Sequence, residues 1–179
     1  GNTIKNLYMS GGTVKFQSAN EEYQTYSVPI YVEDGTTNVI ELATHCYMNS
    51  ALHGNGDITF KISGPRSYFK RTSINDYTGD ITAEGQDSDS FLIHWSQWGS
   101  AYKNARFNLT GKRIYMTAKT TNANNHLGGL SGNANARLIC SSKNTSNAKC
   151  TWTVGYANSD ETFAGQINNN YYSSQDKDP

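Results

Sequence analysis

Apolar and polar residues alternate in many short runs, which is the two-residue period of a strand with one buried face. Residues 13–17 place Val14 and Phe16 on one face. Residues 23–32 place Tyr26, Val28, Ile30 and Val32 together. Pro29 cannot donate to a ladder, so this run predicts an edge strand or a bulge. Asp34-Gly35 follows as a turn signal. Residues 39–46 set Val39, Glu41, Ala43 and His45 opposite Ile40, Leu42, Thr44 and Cys46. Residues 57–62 read Ile58, Phe60 and Ile62 inward, and residues 113–119 read Ile114, Met116 and Ala118. Residues 90–95 form a compact apolar run, expected as a central strand. Residues 136–141 and 151–156 are expected as a last pair, with Trp152 and Val154 on one face.

The pattern therefore predicts eight or more short strands joined by Gly, Asn and Ser loops, with no repeat of fixed period. Strands at this spacing predict an all-β sandwich or barrel. Two long loops are expected. Residues 79–89 are acidic, and residues 120–133 are rich in Asn and Gly around His126. Loops of this length are uncommon unless they carry function. Residues 168–179 read as a linker or frayed tail after a single domain at 1–167.

Composition sharpens this reading. The 179 residues carry 15 Lys+Arg and 15 Asp+Glu, so the formal charge is zero. A neutral chain exerts no overall pull on polyphosphate, which argues against nucleic acid as partner. Nearly a third of the residues are Asn, Ser or Thr, so neutral hydrogen-bonding groups supply the polarity. With 12 Tyr, 6 Phe and 3 Trp the chain has the aromatic content to fold. No apolar run approaches 18 residues, so no membrane span is expected.

Cys140 and Cys150 enclose nine turn-forming residues between two expected strands. Adjacent antiparallel strands would bring them within disulfide range, and that bridge is expected. Cys46 would then be a free, buried thiol. The bridge points to an oxidising, secreted setting.

Catalytic signatures are absent. There is no Gly-x-Ser-x-Gly elbow, no His-Glu-x-x-His and no Cys-x-x-Cys. His45 and His94 fall in expected strands, where a structural role is the default reading. His45 and His53 flank a short loop and could face one another, but no metal or other cofactor is expected. Asp87-Ser88-Asp89-Ser90 offers alternating oxygens without the rest of a calcium loop. Glu41 is the carboxylate best placed to point into a cleft, with no identifiable partner for glycoside hydrolysis.

The binding candidates are aromatic and amide residues. Trp98 lies just past the 90–95 run beside Gly99, where a flat ring can stack on the apolar face of a sugar. Tyr102 follows it. Asn124, Asn125 and His126 supply planar amides and an imidazole, and amides both donate to and accept from hydroxyls. The basic–aromatic stretch at 64–71 reads as a solvated edge.

Chain length, many short strands, the Cys140/Cys150 pair, the Asn/Ser/Thr/Gly loops and the tail Gln-Asp-Lys-Asp-Pro together form an architectural silhouette. It resembles the receptor-binding domain of two-domain chaperone–usher fimbrial tip adhesins. That resemblance implies an elongated antiparallel β-sandwich, immunoglobulin-like or jelly-roll-like. It further implies a pilin domain after Pro179, a place at the bacterial surface, and binding of host carbohydrate or another receptor without catalysis. The expected alternatives are a structural subunit of a pilus or phage fibre and a small secreted glycoside hydrolase.

Overall fold

The structure is a computed structural model. It describes residues 4–18, 23–63, 68–69, 76–86, 92–95, 99–112, 114–118, 123–140 and 149–168. Every strand pairing among them is parallel.

The chain winds in stacked coils. The first carries β1 (Leu7–Met9), β2 (Gly12–Phe16) and β3 (Gln24–Tyr26). The second carries β4 (Ile30–Val32), β5 (Thr37–Leu42) and β6 (Cys46–Met48). The third carries β7 (Leu52–Gly54), β8 (Asp57–Ile62) and β9 (Tyr68–Phe69). Later coils contribute β10 (Asp80–Gly85) with β11 (Leu92–Trp95), then β12 (Gly99–Gly111) with β13 (Ile114–Ala118). The last bring β14 (Ala123–Gly132) with β15 (Ala136–Cys140), and β16 (Cys150–Val154) with β17 (Gln166–Asn168).

Each strand lies on the corresponding strand of the preceding coil. The result is a seven-stranded sheet, β16-β14-β12-β10-β8-β5-β2, with smaller sheets β1-β4-β7, β3-β6-β9 and β11-β13-β15-β17. The molecule is a parallel β-solenoid.

This overturns the antiparallel sandwich. Alternation reports only that one face is buried, and a parallel strand in a coil shows the same period as an antiparallel one. Parallel strands need a long crossover; here the other sides of each coil supply it. The coils recur without a fixed period, since paired positions lie from 20 residues apart (Thr37 and Asp57) to 29 (Arg137 and Gln166). Gly56-Asp57-Ile58-Thr59 recurs 23 positions later as Gly79-Asp80-Ile81-Thr82, and Ile58 stacks on Ile81. The antiparallel sandwich that the fimbrial resemblance implied is therefore not the fold.

Several element expectations change with the fold. Residues 120–133 contain β14, a strand held between β12 and β16. Residues 79–89 contain β10. Residues 39–46 are two strands, because His45 adopts a left-handed φ of 61° and turns the chain between β5 and β6. β15 and β16 lie in different sheets.

The core is one column of inward side chains. Ile40, Leu42, Ile58, Phe60, Ile62, Ile81, Phe107 and Leu109 are all 0–1% exposed. Burying such a side chain contributes about 1.5–3 kcal/mol. Buried polar groups join the coils. Asn38 accepts from Gly11 N–H at 2.8 Å and donates to the Asp57 carbonyl at 3.3 Å, linking three consecutive coils. Gly54, at φ +98°, turns a corner where an added Cβ would sit 2.1 Å from the Val32 carbonyl oxygen. Cys46 is a buried, reduced thiol that donates to the Phe16 carbonyl at 3.2 Å, and burial pushes its pKa up.

Candidate functional site

Register in the seven-stranded sheet sets its outer chemistry. One outward row runs Thr13, Val39, Thr59, Thr82, Asn108, Ser131 along the axis. Strand spacing places these groups about 4.8 Å apart. A second row runs Lys15, Glu41, Lys61, Glu84, Thr110. Its charges alternate in sign, and Lys15 Nζ meets Glu41 Oε1 at 2.9 Å. Lys15 first, and then the Ser63 hydroxyl, hold the Glu41 carboxyl below its ordinary range. Glu41 is thus an ion-pair partner on an open face, and a general acid needs the opposite shift.

Where β10, β12 and β14 lie side by side, the face sinks into a groove of about 260 Å³. Asp80, Thr82, Arg106, Asn108 and Ser131 line it, with Glu161 from the segment after β16. Arg106 grips Asp80 through two bonds, Nε to Oδ1 at 2.6 Å and Nη2 to Oδ2 at 2.5 Å. That pairing raises the Arg106 pKa further above its usual value. Ser131 Oγ donates to Asn108 Oδ1 at 3.1 Å, so the Asn108 amide NH2 remains a donor.

Glu161 reaches the groove because β14 has glycine at an outward position. A Cβ on Gly129 would lie 2.3 Å from Glu161 Oε1. Ser159 Oγ donates to Oε1 at 2.8 Å, whereas Oε2 is buried with no hydrogen-bond partner. That oxygen is closed off from solvent, so the groups the groove offers to a ligand are those of Thr82, Asn108, Ser131 and the Arg106–Asp80 pair.

The residues picked out from sequence fall elsewhere. Tyr102 is buried in the core, 1% exposed, with its ring edge-on to Phe107. Asn125 is also buried; its Nδ2 donates to the Thr151 carbonyl at 3.1 Å. Asn124 and His126 share the outer side of β14, and Tyr156 meets His126 Nδ1 through its hydroxyl at 2.9 Å. Trp98 and the 87–90 acidic run lie outside the described residues, as do the side chains of His94 and Cys140. Cys150 is disulfide-bonded. Among the described residues no cluster of three or more His, Cys, Asp or Glu could hold a metal ion.

Sequence reading missed Thr82, Arg106, Asn108, Ser131 and Glu161. The recurring Gly-Asp-Ile-Thr string was the available signal. Once Thr59 is set over Thr82, the next coils put Asn108 and Ser131 in the same row. Glu161 had no such signal, because it enters from outside the repeat.

Fold and groove define a parallel β-solenoid with a neutral, hydrogen-bonding outer face. No family model, curated protein or solved structure matches the chain. No helix among the described residues is long and apolar enough to cross a membrane.

Proposed function

We propose that this solenoid is a secreted, non-catalytic adhesin-type domain that holds carbohydrate in the groove between Asp80 and Glu161. The row of neutral hydroxyl and amide groups lining the groove, Thr82, Asn108 and Ser131, carries this reading. With the Arg106 guanidinium beside them they form the palette that neutral, hydroxyl-rich ligands require. The charges on the open face alternate and cancel, so the surface favours no strongly charged polymer. Asp80 has both oxygens engaged by Arg106, and Glu41 is paired with Lys15. Neither is poised to transfer protons, which supports binding over hydrolysis. The disulfide at Cys150 supports an extracellular setting.

A glycan array on the purified domain tests this. Neutral oligosaccharides are expected to bind, and Asn108→Ala and Glu161→Gln should each weaken binding about fivefold to twentyfold with an unchanged melting curve. Binding to no glycan overturns the proposal, as does binding that both variants leave intact. Cleavage of a bound oligosaccharide that is lost in Asp80→Asn overturns its non-catalytic part.

A further inference from the structure

The sheet β1-β4-β7 carries a different surface. Its outward positions at one register are Tyr8, Tyr31 and His53. Their rings form a continuous stack: Tyr8 on Tyr31 at 5.0 Å and 20°, Tyr31 on His53 at 4.6 Å and 16°. Asp76 Oδ1 lies 2.6 Å from His53 Nδ1 and fixes the far end. At the near end Tyr8 is 71% exposed, and Tyr31 is its aromatic partner among the described residues. One ring face of Tyr8 is therefore open.

Beside the stack is a hollow of about 360 Å³. Tyr8 and Tyr31 give it aromatic walls, and Ser10, Glu33 and His53 also line it. The Glu33 N–H donates to the Met9 carbonyl at 2.9 Å, which ties the acidic turn to the residue after Tyr8. Among the described residues neither Lys nor Arg lines the hollow. It thus combines an open aromatic face and a carboxylate, beside an imidazole already held by Asp76.

We propose that this hollow binds an amino sugar through its free ammonium group. The apolar face of the sugar ring packs on Tyr8, and the ammonium is drawn to the Glu33 carboxylate and the negative ring face. A stack already ordered by Asp76 loses little side-chain freedom on binding. The site lies on another sheet from the Asp80–Glu161 groove and shares no residue with it.

The test is titration with a fully deacetylated glucosamine tetramer and with its N-acetylated counterpart, at about pH 6, where the sugar amine is protonated. The deacetylated tetramer should bind at least about fivefold more tightly. Tyr8→Ala should remove about fivefold or more of its affinity, Tyr8→Phe should retain it, and Glu33→Gln should cost about threefold to fivefold. Raising salt from about 0.05 to 0.5 M should weaken binding further. Equal affinity for the two tetramers, or full affinity in both Tyr8→Ala and Glu33→Gln, overturns the proposal. Asn108→Ala serves as the separating control. It should weaken neutral-glycan binding in the groove about fivefold to twentyfold and leave amino-sugar binding unchanged, so either site can fail alone.

Discussion

The outer faces of the seven-stranded sheet and of β1-β4-β7 are made by one device and carry opposite chemistry. In both, an outward position recurs on successive coils and lines up along the axis. On the large sheet the recurring residues are Thr, Asn and Ser beside alternating Lys and Glu. On the small sheet they are Tyr, Tyr and His. The inward neighbours hardly differ: Ile and Leu serve both, with Phe added on the large sheet and Met on the small. The backbone therefore sets where groups stand, and the choice at one position per coil sets what the face can hold.

The largest break in that contrast removes the shared support. Phe60 is 1% exposed and packs against Phe69 at 4.5 Å. Phe60→Ala should cost about 3–5 kcal/mol, seen as a melting midpoint lower by roughly 10 °C, and should weaken both faces together. A variant that lost one face alone would show that the two do not share a core.

Tyr31→Ala gives a smaller and more selective effect. It removes both ring stacks at once and should cost about 1–2 kcal/mol in denaturant unfolding. Glycan binding in the groove should stay as it was. Loss of groove binding in Tyr31→Ala would tie the two faces together more closely than their separate sheets allow.

The smallest effect concerns the charged row. Lys15 and Ser63 hold the Glu41 carboxyl below its ordinary pKa. Its contribution is therefore present above the unfolded pKa of about 4.3 and is lost as pH falls through the lower folded value. The pair is partly exposed, so the contribution is below about 1 kcal/mol. Between about pH 5 and 3 the native protein should lose slightly more stability than Glu41→Gln, and about 0.5 M salt should shrink the difference. Identical pH profiles would remove Glu41 from the account of the neutral face.

The inward positions were legible in the sequence. Ile40, Leu42, Ile58, Phe60, Ile62, Ile114 and Met116 are buried as their alternation predicts. Pairing direction was not, because Ile58 buries the same face whether its neighbour runs parallel or antiparallel. The single string Gly56-Asp57-Ile58-Thr59 with its copy at Gly79 held that information, and the drifting spacing of later coils hid it. β14 was read as a loop for a related reason. Its Asn and Gly residues disfavour an isolated strand, yet pairing with β12 and β16 on both sides outweighs that preference. Tyr102 and Asn125 were chosen for their chemistry. Strand parity on β12 and β14 turns both of them inward.

The repeated Gly-Asp-Ile-Thr string has one more consequence, for how the chain tolerates change in length. Each strand pairs with its counterpart 20 to 29 residues away, and closure entropy grows only slowly with length, so the entropy of closing each contact is similar early and late in the stack. Stability then accumulates layer by layer through nearest neighbours. A cut after Gly56 rejoined at Asp80 would leave the sequence Gly-Asp-Ile-Thr unbroken and the inward parity intact. Length in such a molecule comes in whole-coil steps, and evolution can gain or drop a layer of binding surface without redesigning its neighbours.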